Sequence, residues 1–181
     1  MNNTITNTVF TLFTGGLLSS CAFTEQLIPI TMTHANVVAV LDTIDQIEVD
    51  AGELGKDKAD SQNVRFFASR LALEHTRSIQ ARHHLAERMD VEPKKPQLAS
   101  ALEEMYGESK TLLRKKSGRD FDEAYIKNQI MVHEQMIKLV QDTEDSMDDP
   151  DLRQHLRYIR PDLLSHLSAA RATGRQLVAQ R

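Results

Sequence analysis

Four side chains able to ligate a metal, Glu48, His75, His133 and His166, each replace an apolar residue in register on a separate helical stripe. Each also falls near the middle of its segment, so the four lie at one level whether a given helix runs up or down. Four facing side chains at one level converge on a point, which is how metal sites are built in the core of a helix bundle. An isolated ionised carboxylate in a core is costly, and buried imidazoles lose their hydrogen bonds to water. One cation satisfies all four groups, and a mixed nitrogen and oxygen set suits zinc, copper, iron or manganese without choosing among them. The same four residues could instead form a metal-free polar cluster in which Glu48 accepts hydrogen bonds from protonated histidines.

The elements that must position these residues read as helices separated by turns. The first helix is expected from Thr33, a suitable N-cap, to Lys58, with Val37, Leu41, Ile44, Glu48, Ala51 and Gly55 at alternating spacings of four and three. Asp60-Ser61-Gln62-Asn63 closes a turn and offers caps for a second helix carrying Val64, Ala68, Leu71, His75 and Ile79 and running to about Met89. Pro93 and Pro96 interrupt the pattern, and a shorter amphipathic piece with Leu98, Leu102, Met105 and Leu112 follows. Asp120 with Glu123 three residues on gives a capping-box-like start to the third long helix, whose stripe is Ile126, Ile130, His133, Ile137, Val140 and Glu144. Asp149-Pro150 restarts the chain as N-cap and first helical residue of the fourth, with Leu152, Leu156, Ile159, Leu163, His166, Ala170, Thr173 and Leu177. Four helices of about 40 Å at ~1.5 Å per residue pack most economically as an all-α, antiparallel four-helix bundle. A short extra helix then lies in the crossover between the second and third long helices. Pro161 sits inside the last helix, where its ring removes the backbone bond to Arg157 and kinks the chain one turn before His166.

Several chemistries are excluded by what the chain lacks. No Glu is followed three residues later by His, so the di-iron ferroxidase pattern of Glu-x-x-His on two helices is disfavoured. There is no His-Glu-x-x-His, no phosphate-binding glycine loop and no Gly-x-Ser-x-Gly elbow, so no catalytic residue is assigned. A lone cysteine rules out an intrachain disulfide and Cys-rich metal sites. With 22 Lys and Arg against 26 Asp and Glu, a net charge of −4, there is no basic face for nucleic acid. Glu74 and Glu134 adjoin core histidines but point about 100° around the helix, which suits flanking or supporting partners of those histidines. His83, His84 and Glu87 read as a solvated face, His34 and His155 have no convergent partner, and Met131, Met136 and Met147 read as core filler.

Residues 1–21 differ from the remainder, since no charged side chain precedes Glu25. The run from Val9 to Leu18 is too short to span a membrane but suits the apolar part of an export signal, although Met1 to Thr8 lacks the usual basic residues. Leu18-Ser19-Ser20-Cys21 resembles the lipobox of bacterial lipoproteins, in which the Cys is acylated and becomes the new N-terminus after cleavage. That resemblance implies attachment to a membrane through a lipid on Cys21. Ala22 in place of Asp favours the periplasmic face of the outer membrane; the alternative is a soluble periplasmic protein. Residues 22–32 then form a linker and 33–181 the bundle domain.

Three strings, IEVDAGELGKDKADSQNVRFFASRLALEHT, SGRDFDEAYIKNQIMVHEQMI and LRYIRPDLLSHLSAA, resemble successive blocks of the bacterial exported "domain of unknown function four-one-four-two" family. The resemblance covers about residues 34–178 and implies a ferritin-like four-helix fold and an outer-membrane location, with no established reaction. Its blocks contain all four of Glu48, His75, His133 and His166. Two departures are Glu74, where Asp is expected, and Gly55-Lys56, where Ala is expected, which predicts a looser end to the first helix. The function implied is an exported envelope protein, binding a transition metal for metal handling or stress tolerance, or else a metal-free structural or interaction module.

Overall fold

The computed structural model describes residues 8–13, 25–30 and 32–179. From His34 onward every element is helical: α1 (His34–Lys58), α2 (Gln62–Arg88), α3 (Gln97–Arg114), α4 (Gly118–Ser146) and α5 (Pro150–Ala179). Ahead of them β1 (Thr8–Phe13) and β2 (Glu25–Ile30) pair antiparallel, with Thr8 opposite Ile30 and Phe13 opposite Glu25. This pairing departs from the all-helical expectation. It follows from runs of β-branched and aromatic residues, and Pro29 is tolerated because both strands of a two-stranded ribbon are edges. Cys21 and the rest of the lipobox-like stretch lie outside the described residues, as do parts of the 1–21 and 22–32 segments.

The cap chemistry explains most helix boundaries. Thr33 accepts from the Asn36 N–H while the Asn36 side chain accepts from the Thr33 N–H, a reciprocal box that starts α1. Asp149 Oδ1 accepts from the N–H groups of Asp151 and Leu152 and starts α5 at Pro150, as its sequence predicts. The α2 terminus uses Asp90 in a left-handed conformation (φ 52°), with Val91 N–H to Ala86 O at 2.9 Å and Asp90 N–H to Glu87 O at 3.2 Å, a Schellman ending. The start of α4 corrects the sequence reading. That helix begins at Gly118 after Ser117, so Asp120 lies in its first turn rather than at the cap. Asp122 serves a different helix: its two carboxylate oxygens accept from the N–H groups of Asp60 (3.1 Å) and Ser61 (2.8 Å), just ahead of α2.

Pairings between helices fix the directions. Along α1 and α4, His34 meets Asp148, Gly55 faces Tyr125 and the Asp60 N–H meets Asp122, so these two run antiparallel. Along α2 and α5, Asn63 bonds Gln176 and Arg70 bonds Ser165, again antiparallel. The short links 59–61 and 147–149 make α1–α2 and α4–α5 antiparallel as well. The four long helices therefore form a ring in the order α1, α2, α5, α4, with α2 and α4 parallel across the diagonal. Helix α3 returns the chain between them along α1, where Asp50 accepts from Tyr106 Oη (2.7 Å) and pairs with Lys110.

Two apolar clusters fill the ring. One, at the end where α1 begins, contains Val38, Leu41, Ile44, Leu85, Met136, Val140, Leu152 and Leu156. The other, toward the 59–61 turn, contains Val64, Phe67, Leu71, Phe121, Tyr125, Ile126, Ala170 and Leu177. Between them lies a layer of buried polar residues: Asp45, Glu48, His75, Gln129, His133 and His166. The single level expected from spacing is thus a physical layer, positioned by the apolar stripes on either side of it. Helix α5 continues through Pro161.

Candidate metal centre

His75, His133 and His166 meet in the polar layer. One ring nitrogen from each lies within 4.8 Å of those of the other two, and among the described residues this is the one such group of three or more potential ligands. The rings approach with centroids 5.0 Å apart for His75 and His166, 5.3 Å for His133 and His166, and 6.0 Å for His75 and His133. All three are buried, His133 completely.

The partners of the outer ring nitrogens decide which nitrogens face inward. His133 Nδ1 is 2.9 Å from the Gln129 carbonyl, which can only accept, so Nδ1 carries the proton and Nε2 carries a lone pair. His75 Nδ1 lies 2.6 Å from Asp45 Oδ1, and His166 Nε2 lies 2.5 Å from Glu74 Oε2. Both carboxylates accept, which leaves His75 Nε2 and His166 Nδ1 toward the interior. Those three nitrogens, His75 Nε2, His133 Nε2 and His166 Nδ1, are buried and have no hydrogen-bond partner. An outer N–H held by a carboxylate or carbonyl and an inner nitrogen left bare is the arrangement that orients metal-ligating imidazoles. A metal held at ~2.0–2.1 Å would need the three nitrogens closer together than the 4.8 Å within which they lie, so the rings would have to close in.

The electrostatics carry the same message. Burial, reinforced by His75 and His166, pushes His133 down to about 3, so it is neutral at neutral pH. Burial and His75 also lower His166, against the pull of Glu74. Burial would raise Asp45, but the hydrogen bond from His75 and the charge of Arg82 hold it down at about 2. The same contact raises His75 in spite of its burial. Arg82 is itself only 1% exposed and bridges Asp45 Oδ2 (2.5 Å) and Asp42 Oδ1 (2.8 Å), neutralising charge behind His75.

Glu48, expected as a fourth ligand, lies in the layer but outside the three-nitrogen group. Its carboxyl hydrogen-bonds the Gln129 side chain, one oxygen has no partner, and burial raises it to about 7. Glu74 is the supporting partner of His166 and also pairs with Arg70, whereas Glu134 pairs with Arg171 at the surface. His83 and His84 are exposed as expected. His155 is not a surface residue: it is half-buried near Arg82, its Nε2 has no partner, and burial lowers it to about 4. His34 pairs with Asp148 at 2.9 Å.

Sequence reasoning missed Asp45, Arg82 and Gln129. Their spacing was the available signal: Asp45 is three residues before Glu48, Gln129 four before His133, and Arg82 seven after His75, each on the face of a chosen residue. Gly55 reverses an expectation. A Cβ there would lie 2.5 Å from Tyr125 Cζ and 2.8 Å from Ala68 Cβ, so the end of α1 is tightly packed rather than loose.

From His34 onward the fold is a helical domain with a buried tri-histidine cluster. The chain belongs to the family described as Domain of unknown function (DUF4142), whose profile matches residues 23–173. Among solved structures it is similar to a DUF305 protein from Streptomyces coelicolor described as secreted, at 12% identity and a TM-score of 0.61, over 75% of this chain and 89% of that one. It is likewise similar to CopM in its Cu(II)-bound form, at 10% identity and a TM-score of 0.59, over 78% and 95% of the two chains. At these identities the likeness concerns the fold. No curated protein matches the chain. Among the described residues no helix is long and apolar enough to cross a membrane.

Proposed function

We propose that this is an exported envelope protein with a ferritin-like four-helix fold that holds one transition-metal ion through His75, His133 and His166 and serves metal handling or stress tolerance. The observation that carries the reading is the close approach of three buried histidines, each with one unpartnered ring nitrogen. Three buried ring nitrogens without partners are costly, and a cation that displaces any proton on them would give each a bond. The supporting contacts from Asp45, Glu74 and the Gln129 carbonyl hold the ring orientations in advance, so binding would require the rings to close in rather than to turn. Glu48 adds a carboxyl to the same layer, with one oxygen free while the other side of the group bonds Gln129. The Cu(II)-bound form of the similar CopM chain supports metal binding in such a fold.

Elemental analysis of the untagged protein tests this. Stoichiometric metal that disappears in both His75→Ala and His133→Ala supports the reading. Absence of binding after reconstitution with zinc, copper, iron and manganese refutes it and leaves a metal-free polar layer that specifies packing. Export and anchoring form a separate part of the proposal, in which Cys21 carries the lipid and the protein sits on the periplasmic face of the outer membrane. Mass spectrometry of protein from cells should find a diacyl or triacyl group on Cys21, and an unmodified thiol would reduce the reading to a soluble periplasmic protein.

A further inference from the structure

Resting on that metal reading, we infer that the fourth donor is the thioether of Met136 and that the resident ion is Cu(I). Met136 follows His133 by three residues on α4, so it stands on the same face about one turn along. It is 6% exposed and lines, together with His75 and His166, a cavity of about 40 Å³ whose other walls include Leu41, Ile44 and Val140. Two of the three histidines and Met136 thus border a single small space, with Asp45, Glu74 and Asp162 on its polar side.

The chemistry of the surroundings selects the ion. The carboxylates nearest the cluster are already engaged: Asp45 by His75 and Arg82, Glu74 by His166 and Arg70. The donors left are three imidazole nitrogens, the Met136 thioether and the free oxygen of Glu48, whose carboxyl burial raises to about 7. A thioether is a soft ligand that favours Cu(I), while imidazole accepts zinc, copper, iron or nickel, so copper is the metal both donor types serve. Met136 belongs to the apolar cluster as well, so the same residue closes the core and lines the cavity.

The test uses the full chain carrying Cys21→Ser, which removes the one thiol. Under anaerobic conditions, Cu(I) is titrated against bicinchoninate as a competing chelator, and Zn(II) affinity is measured in parallel. The expected result is one Cu(I) per chain, with Met136→Leu weakening Cu(I) at least tenfold while Zn(II) affinity and the far-UV circular dichroism stay unchanged. X-ray absorption of the Cu(I) form should show one sulfur neighbour, a readout that does not depend on the variant folding. Absence of that sulfur, or Cu(I) binding that Met136→Leu leaves intact and Glu48→Gln abolishes, overturns the inference while the metal reading stands. If neither copper nor zinc, iron or manganese binds, the metal reading itself has failed.

Discussion

Helices α1 and α2 meet in two different ways along one interface. Toward the 59–61 turn the contact is made of backbone and small residues: a Cβ on Gly52 would lie 2.7 Å from the Ala68 carbonyl oxygen and 2.8 Å from Ala72 Cβ. Toward the other end the same two helices enclose a whole arginine, Arg82, held by Asp42 and Asp45. His75 lies between these regimes, three residues past Ala72 and seven before Arg82. The tight end sets helix separation and register by excluded volume. The charged end fills a wider gap with polar groups that orient the histidine. A site needs both, since the first gives rigidity and the second gives room.

The largest effect is expected from the charged end. Arg82→Met leaves the buried Asp45 and the half-buried Asp42 without their cation, and removing one partner of a buried pair costs about 3–5 kcal/mol. Urea unfolding of the metal-free protein should show that loss, and adding Asp45→Asn should recover part of it, because the two residues belong to one network. A loss below about 1 kcal/mol would mean that the arginine fills space without neutralising charge.

The next effect belongs to the middle of the interface and depends on pH. Burial raises Glu48 from 4.5 to about 7, so between those values the folded state keeps a proton that the unfolded chain has released. Stability of the metal-free protein therefore carries a contribution from Glu48 that falls as pH rises through this window, on the order of 3 kcal/mol in all. Glu48→Gln removes it, so the variant should gain on the parent steadily from pH 4.5 to 7. His133 works in the opposite direction: lowered from 6.5 to about 3, it costs stability as pH falls through that range. The parent-minus-variant difference isolates Glu48, and a difference independent of pH would show that its carboxyl ionises normally.

Much of this contrast was legible in the residues, and the missing part has a physical reason. The stripes of α1 and α5 predicted buried positions well, because a helix packed on one side buries residues with the period of the chain. The level of Glu48, His75, His133 and His166 followed from counting residues to the turns. Which of them meet did not follow, since three side chains converge or miss according to rotamer and helix rotation. Gly55 read as a loose end because intrinsic propensity was visible and the Tyr125 ring opposite was not. Asp120 read as a cap because the local pattern allowed it, whereas Asp122 bonds across about sixty positions, a distance that no local motif reports.

At the tight end the comparison can be sharpened by sign. Gly55→Ala gains helix propensity of about 1 kcal/mol but drives its Cβ into Tyr125, which is fully buried and stacked on Phe121 at 5.6 Å. Overpacking of a ring that cannot yield costs about 1–3 kcal/mol, so a net loss of up to about 2 kcal/mol is expected. Gly107, with nothing within 4 Å of its Cβ position, should respond to Ala with a gain of about 0.5–1 kcal/mol. Equal signs at the two sites would mean that the close approach of α1 is relieved by small shifts.

The smallest effect lies at the turn that closes the tight end. Asp122 is 2% exposed and its two oxygens satisfy two backbone N–H groups at the entrance to α2, where the Ser61 side chain makes no capping bond. Asp122→Ala removes both acceptors and should cost about 1 kcal/mol, within the range for loss of a helix cap. Asp122→Asn keeps one acceptor oxygen and replaces the other with a donor, so it should retain the Ser61 bond or the Asp60 bond but not both. Because the loss falls on one turn, amide exchange should accelerate at residues 60–64 well before it does beside His75. Acceleration that spread equally to His75 would mean that the turn and the histidine layer open together, and that the tight end holds the register of the site through Asp122 as much as through its glycines.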